Sequence, residues 1–132
     1  MSYIIIKKFR MNDAIVNGFI RFYIETLNDK NRFEEFITVW KEYTVAVHNS
    51  AVYTKETLLN YIRTLYSYTI KFNKTDDIIV SFTLNGDRRA NILISYQMHD
   101  NLGNIINVSQ YILLAYSNSN EYWIHTSLIN FT

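Results

Sequence analysis

From Ala90 to Thr132 the chain alternates with period two over runs of eight residues or more, and both parities carry apolar side chains. Between Ile105 and Tyr116 one alternation reads Ile106, Val108, Gln110, Ile112, Leu114, Tyr116; the other reads Ile105, Asn107, Ser109, Tyr111, Leu113, Ala115. The turn Asp100-Asn101-Leu102-Gly103-Asn104 precedes this run. An antiparallel strand pair usually leaves one polar face to water. Here the second face, part aromatic and part small and polar, needs a cover, either helices of the same chain or a partner.

The upstream sequence supplies helices for one of the two faces. Ile15, Val16, Phe19, Ile20, Phe22, Tyr23 and Leu27 recur at helical spacing behind a cap at Asn12 or Asp13. Asn31 and Glu34 have capping-box spacing and open a short helix with Phe33, Phe36, Ile37 and Trp40. Tyr43–His48 and Ala51–Tyr53 read as a small hairpin around Asn49-Ser50, and Thr54 caps a third helix whose stripe is Leu58, Tyr61, Ile62 and Leu65. From Tyr68 the period becomes two, through Ile78, Val80, Phe82 and Leu84, the turn Asn85-Gly86-Asp87, and strands over 91–98, 105–117 and 122–129. Helices first and strands afterwards predict an α+β architecture, about three N-terminal helices packed on one face of a curved antiparallel sheet. Residues 1–11 read as an N-terminal extension and 12–132 as one domain.

Composition excludes several function classes. Thirteen basic residues against twelve acidic ones give no electrostatic footprint for direct nucleic-acid or anionic-membrane binding. Cysteine is absent, so there is no disulfide framework, thiolate metal site or Cys nucleophile. The apolar start at Tyr3-Ile4-Ile5-Ile6 is too short for a signal peptide, and no run approaches a membrane span, so a soluble intracellular protein is expected. There is no His-x-His set, no Gly-rich phosphate loop and no Gly-x-Ser-x-Gly elbow. No metal, cofactor or catalytic residue is predicted. The many tyrosines lack the basic groove of a stacking platform, which leaves them to the core.

Ser109-Gln110-Tyr111-Ile112-Leu113-Leu114 followed by Tyr122-Trp123-Ile124 resembles the phenylalanine-any-glutamine-any-phenylalanine-leucine-leucine strand and the tryptophan strand of the nuclear transport factor 2-like superfamily, in its transport-factor and messenger-RNA export small-subunit branch. Gln97 in Tyr96-Gln97-Met98 falls where that branch carries glycine-glutamine-leucine, and the layout of elements is that family's cone. The resemblance implies a non-enzymatic adaptor that dimerises through the open face of its sheet. It implies a place at the nuclear pore, shuttling between nucleus and cytoplasm, with Phe-Gly repeats as possible further ligands. Its most specific form is the small subunit of a heterodimeric messenger-RNA export receptor; a homodimeric transport factor or scaffold is the alternative. Carriage of Ran-GDP is disfavoured, because the family's acidic contacts fall near His48-Asn49 and at Asp100–Asn104, where only Asp100 is acidic. The end Ser127-Leu128-Ile129-Asn130-Phe131 also departs from that branch's asparagine-aspartate-any-phenylalanine-arginine pattern.

The face assigned to a partner comprises Leu93, Ser95, Gln97, Ser109, Tyr111, Leu113, Trp123, His125 and Ser127, which mixes rigid aromatic anchors with groups able to hydrogen-bond across a seam. Met1–Arg10 is too short, at ~3.3 Å per residue, to blanket a whole sheet. Trp40, His48, Met98 and Asp100 are candidates for a cavity or a second partner contact. An isomerase- or cyclase-type enzyme of the same fold is the competing class. It needs an Asp or His base in the cone with a Tyr or acid to hold an enolate. His48, His99, Asp100, Asp76, Asp77 and Asp87 scatter over hairpins and turns, and His125, within a strand, is the one candidate that can line an interior.

Overall fold

The computed structural model describes residues 4–5, 14–70, 78–85, 88–117 and 121–132. In chain order these form β1 (Ile4–Ile5), α1 (Ala14–Leu27), α2 (Phe33–Phe36), a single 3-10 turn (Ile37–Val39), β2 (Trp40–His48) and β3 (Ala51–Tyr53). A second 3-10 turn (Lys55–Thr57), α3 (Leu58–Tyr66), β4 (Thr69–Ile70), β5 (Ile78–Asn85), β6 (Arg89–His99), β7 (Ile105–Tyr116) and β8 (Tyr122–Phe131) follow. The expected cap at Asn12 or Asp13, the acids Asp76, Asp77 and Asp87, and the turn at 118–120 lie outside the described residues. Ile4–Ile5, within the segment read as an extension, pair with β5.

All strands join one sheet in the order β1-β5-β6-β7-β8-β2-β3, with β4 also on β6. The sequence predicts an antiparallel sheet; the sheet is mixed, because β2 runs parallel to β8 and β1 parallel to β5. Two strands far apart in sequence, β2 and β8, thus become neighbours, and local patterning carries no trace of that pairing. The helices cover one face only. Val16, Phe19, Ile20, Tyr23, Ile24 and Leu27 bury one side of α1, and Leu58, Tyr61, Ile62 and Leu65 bury one side of α3, against Ala90, Ile92, Ile94, Tyr96 and Met98 of β6 and Val108, Ile112 and Leu114 of β7. Rings tie the layers: Phe19 meets Tyr122 edge-on at 5.5 Å, and Tyr23 lies 5.5 Å from Phe36.

The ends of the helices show which local signals operate. The expected capping box at Asn31 and Glu34 does not form. Asp29 instead accepts from the Asn31 amide at 3.0 Å, Arg32 stands at the N-cap without capping the helix through its side chain, and its guanidinium holds Glu35 through two bonds at 2.9 and 3.0 Å. Before α3, Thr57 Oγ1 accepts from the Thr54 amide at 3.1 Å, the start that Thr54 marks in sequence. Lys30 Nζ donates to the carbonyls of Leu27, Tyr66 and Tyr68, so one ammonium closes the C-terminal ends of both α1 and α3. The β2–β3 turn has Asn49 at φ 48° and Ser50 at φ 77°, the doubly left-handed form that suits a two-residue hairpin, and Asn49 Oδ1 accepts from the Phe131 amide to pin it to β8.

Candidate functional site

The helix-free face of the sheet is built by strand register. Val52 of β3 stands opposite Val47 of β2, Val47 opposite Leu128 of β8, Leu128 opposite Tyr111 of β7, and Tyr111 opposite Leu93 of β6. One apolar row therefore crosses five strands. It is not covered: Val52 is 63 % exposed, Leu93 58 % and Leu128 39 %. A second row beside it is small and polar, Asn130, Ser109 and Ser95, and a third holds Val45, Thr126, Leu113, Asn91 and Thr83. Leu93, Ser95, Ser109, Tyr111, Leu128 and Asn130 bound a shallow groove of about 340 Å³ between the first two rows. No Asp, Glu, Lys or Arg falls among these described positions; Arg89, on the same parity, stands at the end of β6 opposite Ala115. Tyr111 is fixed on the face by its hydroxyl, which donates to Asn91 Oδ1 at 2.6 Å, and Gln97 Nε2 donates to Asn107 Oδ1 at 3.1 Å.

Eight of the nine residues assigned to this face from sequence lie on it or at its bulge; Ser127 does not. Leu114 pairs with Ile124 while Leu113 pairs with Thr126, so His125 is an extra residue in β8 with no partner in β7. Beyond that bulge the alternation is reset. Trp123, His125 and Thr126 are half-buried, His125 Nδ1 lies 2.8 Å from Thr126 Oγ1, and Ser127 turns into the core with no exposed surface. Thr126, Leu128 and Asn130 occupy the face that strict alternation gives to Ser127 and Ile129. Only the register reveals this, because a bulge leaves no fixed residue signature.

The core side holds a polar node that sequence reasoning assigned no role. Gln110 is 2 % exposed; its Oε1 accepts from the Tyr96 hydroxyl at 2.8 Å, and its Nε2 donates to Tyr23 Oη and to Ser127 Oγ, each at 3.0 Å. Burial pushes the Tyr23 phenol up to about 12, against the lowering effect of Gln110 and Tyr96, and burial also raises Tyr61 and Tyr96. These phenols are neutral hydrogen-bond donors at any physiological pH. Among the described residues no charged side chain is buried; Thr26, Thr44, Gln110 and Ser127 are the buried polar ones. Thr44 accepts from the Lys41 amide and donates to the Ile124 carbonyl, which plugs the irregular stretch where β2 joins β8.

The remaining candidates are dispersed. Trp40 packs on Tyr23 and Phe36, with its buried Nε1 lacking an acceptor among the described residues. Met98 is fully buried in the core. His48 Nδ1 lies 3.1 Å from the Tyr61 hydroxyl and its ring meets Phe131 edge-on at 4.2 Å; burial lowers its basicity. Asp100 accepts from the amides of Leu102 and Asn104 and from Asn104 Nδ2, each at 2.9 Å, and these bonds hold its carboxyl below its usual range. Its acceptor capacity closes the β6–β7 turn rather than facing outward. His125 lies at the bulge on the helix-free side, away from Gln110, and no group of three or more His, Asp or Glu suited to a metal occurs among the described residues. No helix among them is long and apolar enough to cross a membrane.

No protein-family model matches the sequence, and no curated protein matches it. Solved structures do match. Nuclear transport factor 2 from Cryptosporidium parvum superposes over 91 % of this chain and 94 % of its own, with a TM-score of 0.62 at 13 % identity. The yeast UBP3-associated protein Bre5 covers 94 % and 98 %, with a TM-score of 0.66 at 15 % identity. A ketosteroid isomerase-like protein from Erwinia carotovora atroseptica covers 93 % and 98 %, with a TM-score of 0.64 at 10 % identity. A transport factor and an isomerase-like protein thus share one architecture with this chain, and identities this low carry the fold alone. The chain has the nuclear transport factor 2-like fold, an α+β cone with a curved mixed sheet.

Proposed function

We propose that this domain is a non-catalytic binding module that pairs with a second copy of itself across the helix-free face of its sheet. The observation that carries the reading is the row Val52-Val47-Leu128-Tyr111-Leu93, apolar and open, on a face with no charge among its central described positions. Depletion of charge at the centre with an aromatic anchor is the composition of a buried protein interface. A face without charges meets its own copy with no like-charge penalty, which favours self-pairing. The occupied interior supports the non-catalytic half: Tyr23, Tyr96 and Ser127 spend their polar groups on Gln110, and no ionised acid or base is buried beside them among the described residues.

The test is oligomeric state. The wild-type chain is expected to run as a dimer in light scattering, and the pair Leu93→Asp with Leu128→Asp to run as a monomer with unchanged far-ultraviolet circular dichroism, since both sites are solvent-exposed in the single chain. A dimer that survives both changes overturns the reading. The more specific form, the small subunit of a messenger-RNA export receptor at the nuclear pore that binds Phe-Gly repeats, is supported by the sequence resemblance in β7 and β8. A chain that is monomeric alone and forms a one-to-one complex with a larger domain of the same fold, lost in the same double variant, displaces self-pairing in its favour.

A further inference from the structure

A separate cleft lies on the helical side, where the start of α2, the end of α3 and the β6–β7 turn meet. Phe33, Arg63, Tyr66, Ser67, Thr69 and Asn101 line it together with Lys30, around about 630 Å³, a volume that suits a small organic molecule. Its chemistry is unbalanced. The Arg63 guanidinium lies over the Phe33 ring, 5.1 Å from its centroid, and no carboxylate pairs with it among the described residues. Arg32, by contrast, is neutralised by Glu35. Lys30 sits 4.8 Å from the centroid of Tyr66, and its protons go to the carbonyls of Leu27, Tyr66 and Tyr68. Carbonyls at two helix ends take the ammonium's donors, and no carboxylate pairs with it among the described residues. The lining contains two cations, two aromatic rings, three neutral polar side chains and no acid.

A guanidinium held over a ring and without a carboxylate partner keeps N–H groups that can take a carboxylate by two parallel bonds. The rings of Phe33 and Tyr66 pack edge to face with their centroids 5.1 Å apart, forming an apolar wall beside the guanidinium. We propose that this cleft binds an organic carboxylate with a flat apolar body, the carboxylate held by Arg63 within the field of Lys30 and the body laid against Phe33 and Tyr66. Such a carboxylate can belong to a free small molecule or terminate a peptide; the recognised chemistry is the same.

The experiment is a nitrogen–proton correlation titration of the intact chain with indole-3-acetate, its uncharged amide indole-3-acetamide, inorganic phosphate, and a short peptide ending in tryptophan. Shifts confined to Phe33, Arg63, Ser67 and Asn101, with the acid at least about ten-fold tighter than the amide, support the site, because a charge-assisted pair is about 1.5–3 kcal/mol. Arg63→Gln, at an exposed position, is expected to erase that preference while leaving the spectrum otherwise unchanged. Acid and amide binding equally, shifts mapping elsewhere, or phosphate binding as tightly as the acid each overturn the proposal. Tighter binding by the tryptophan-ended peptide than by indole-3-acetate supports it with a chain terminus as the source, and the reverse order supports it with a free molecule.

Discussion

Replacing Gln110 with leucine tests the polar node inside the cone. The two side chains are similar in length, so the perturbation is the loss of one acceptor and two donors rather than of volume. Three bonds disappear: from the Tyr96 hydroxyl, to Tyr23 Oη and to Ser127 Oγ. Both phenols meet the same amide, so with it gone the Tyr96 hydroxyl can turn to Tyr23 Oη and one lost bond is regained. Ser127 Oγ then remains without that partner in the buried interior, which gives a loss of about 1–3 kcal/mol. Against a domain stability of about 5–15 kcal/mol that is a large fraction. Urea unfolding followed by circular dichroism is expected to show a lower midpoint with an unchanged slope. Adding Ser127→Ala to Gln110→Leu removes that orphan and is expected to recover about 1 kcal/mol, a coupling that a double-mutant cycle reads directly. A single-variant loss below about 1 kcal/mol, or a cycle with no coupling, refutes the assignment of Gln110 as the node.

Burial lowers the folded-state pKa of His48 below its ordinary value of about 6.5, so the unfolded chain binds the proton more readily. The stability it contributes is complete above about pH 6.5 and falls as pH is lowered through that value; His48→Gln is expected to flatten this part of a urea-midpoint profile measured between about pH 7 and pH 5. Gly18 lies inside α1, and a methyl group built there meets nothing within 4 Å. Gly18→Ala is expected to raise stability by about 1 kcal/mol in the same unfolding assay, and a loss refutes the open surface at that position.

Periodicity located α1, α3 and the four long strands because each has one face that must be apolar, and that demand is written locally. Thr54 before α3 and Asn49-Ser50 in the hairpin were legible for a similar reason: a cap and a left-handed turn are set by the residues that make them. Asn31 misled because Asp29 competes for the same amide. Ser127 misled because alternation assumes an unbroken ladder, and His125 breaks it. Gln110 was visible as part of a resemblance, and nothing in the strand's own pattern marks it as the bonding partner of a tyrosine in α1. Nothing in the sequence singles out Lys30 or Arg63; α1, α2 and α3 bring their aromatic neighbours and carbonyls together only in the folded chain. Relations inside one element are carried by spacing; relations between elements distant in sequence require the three-dimensional pairing.

The parallel seam between β2 and β8 has a consequence for how the molecule is made. Trp40 finds its register partner in Ile124, and His48 finds Ile129, so the β2–β3 ribbon emerges in synthesis well before the strand it leans on. Until then its inner edge carries unmatched amide and carbonyl groups. Closing a loop of that length is entropically slow. A nascent chain stalled ahead of β8 presents a bare hairpin margin to any neighbouring strand, which makes β8 the latch against aggregation on the ribosome.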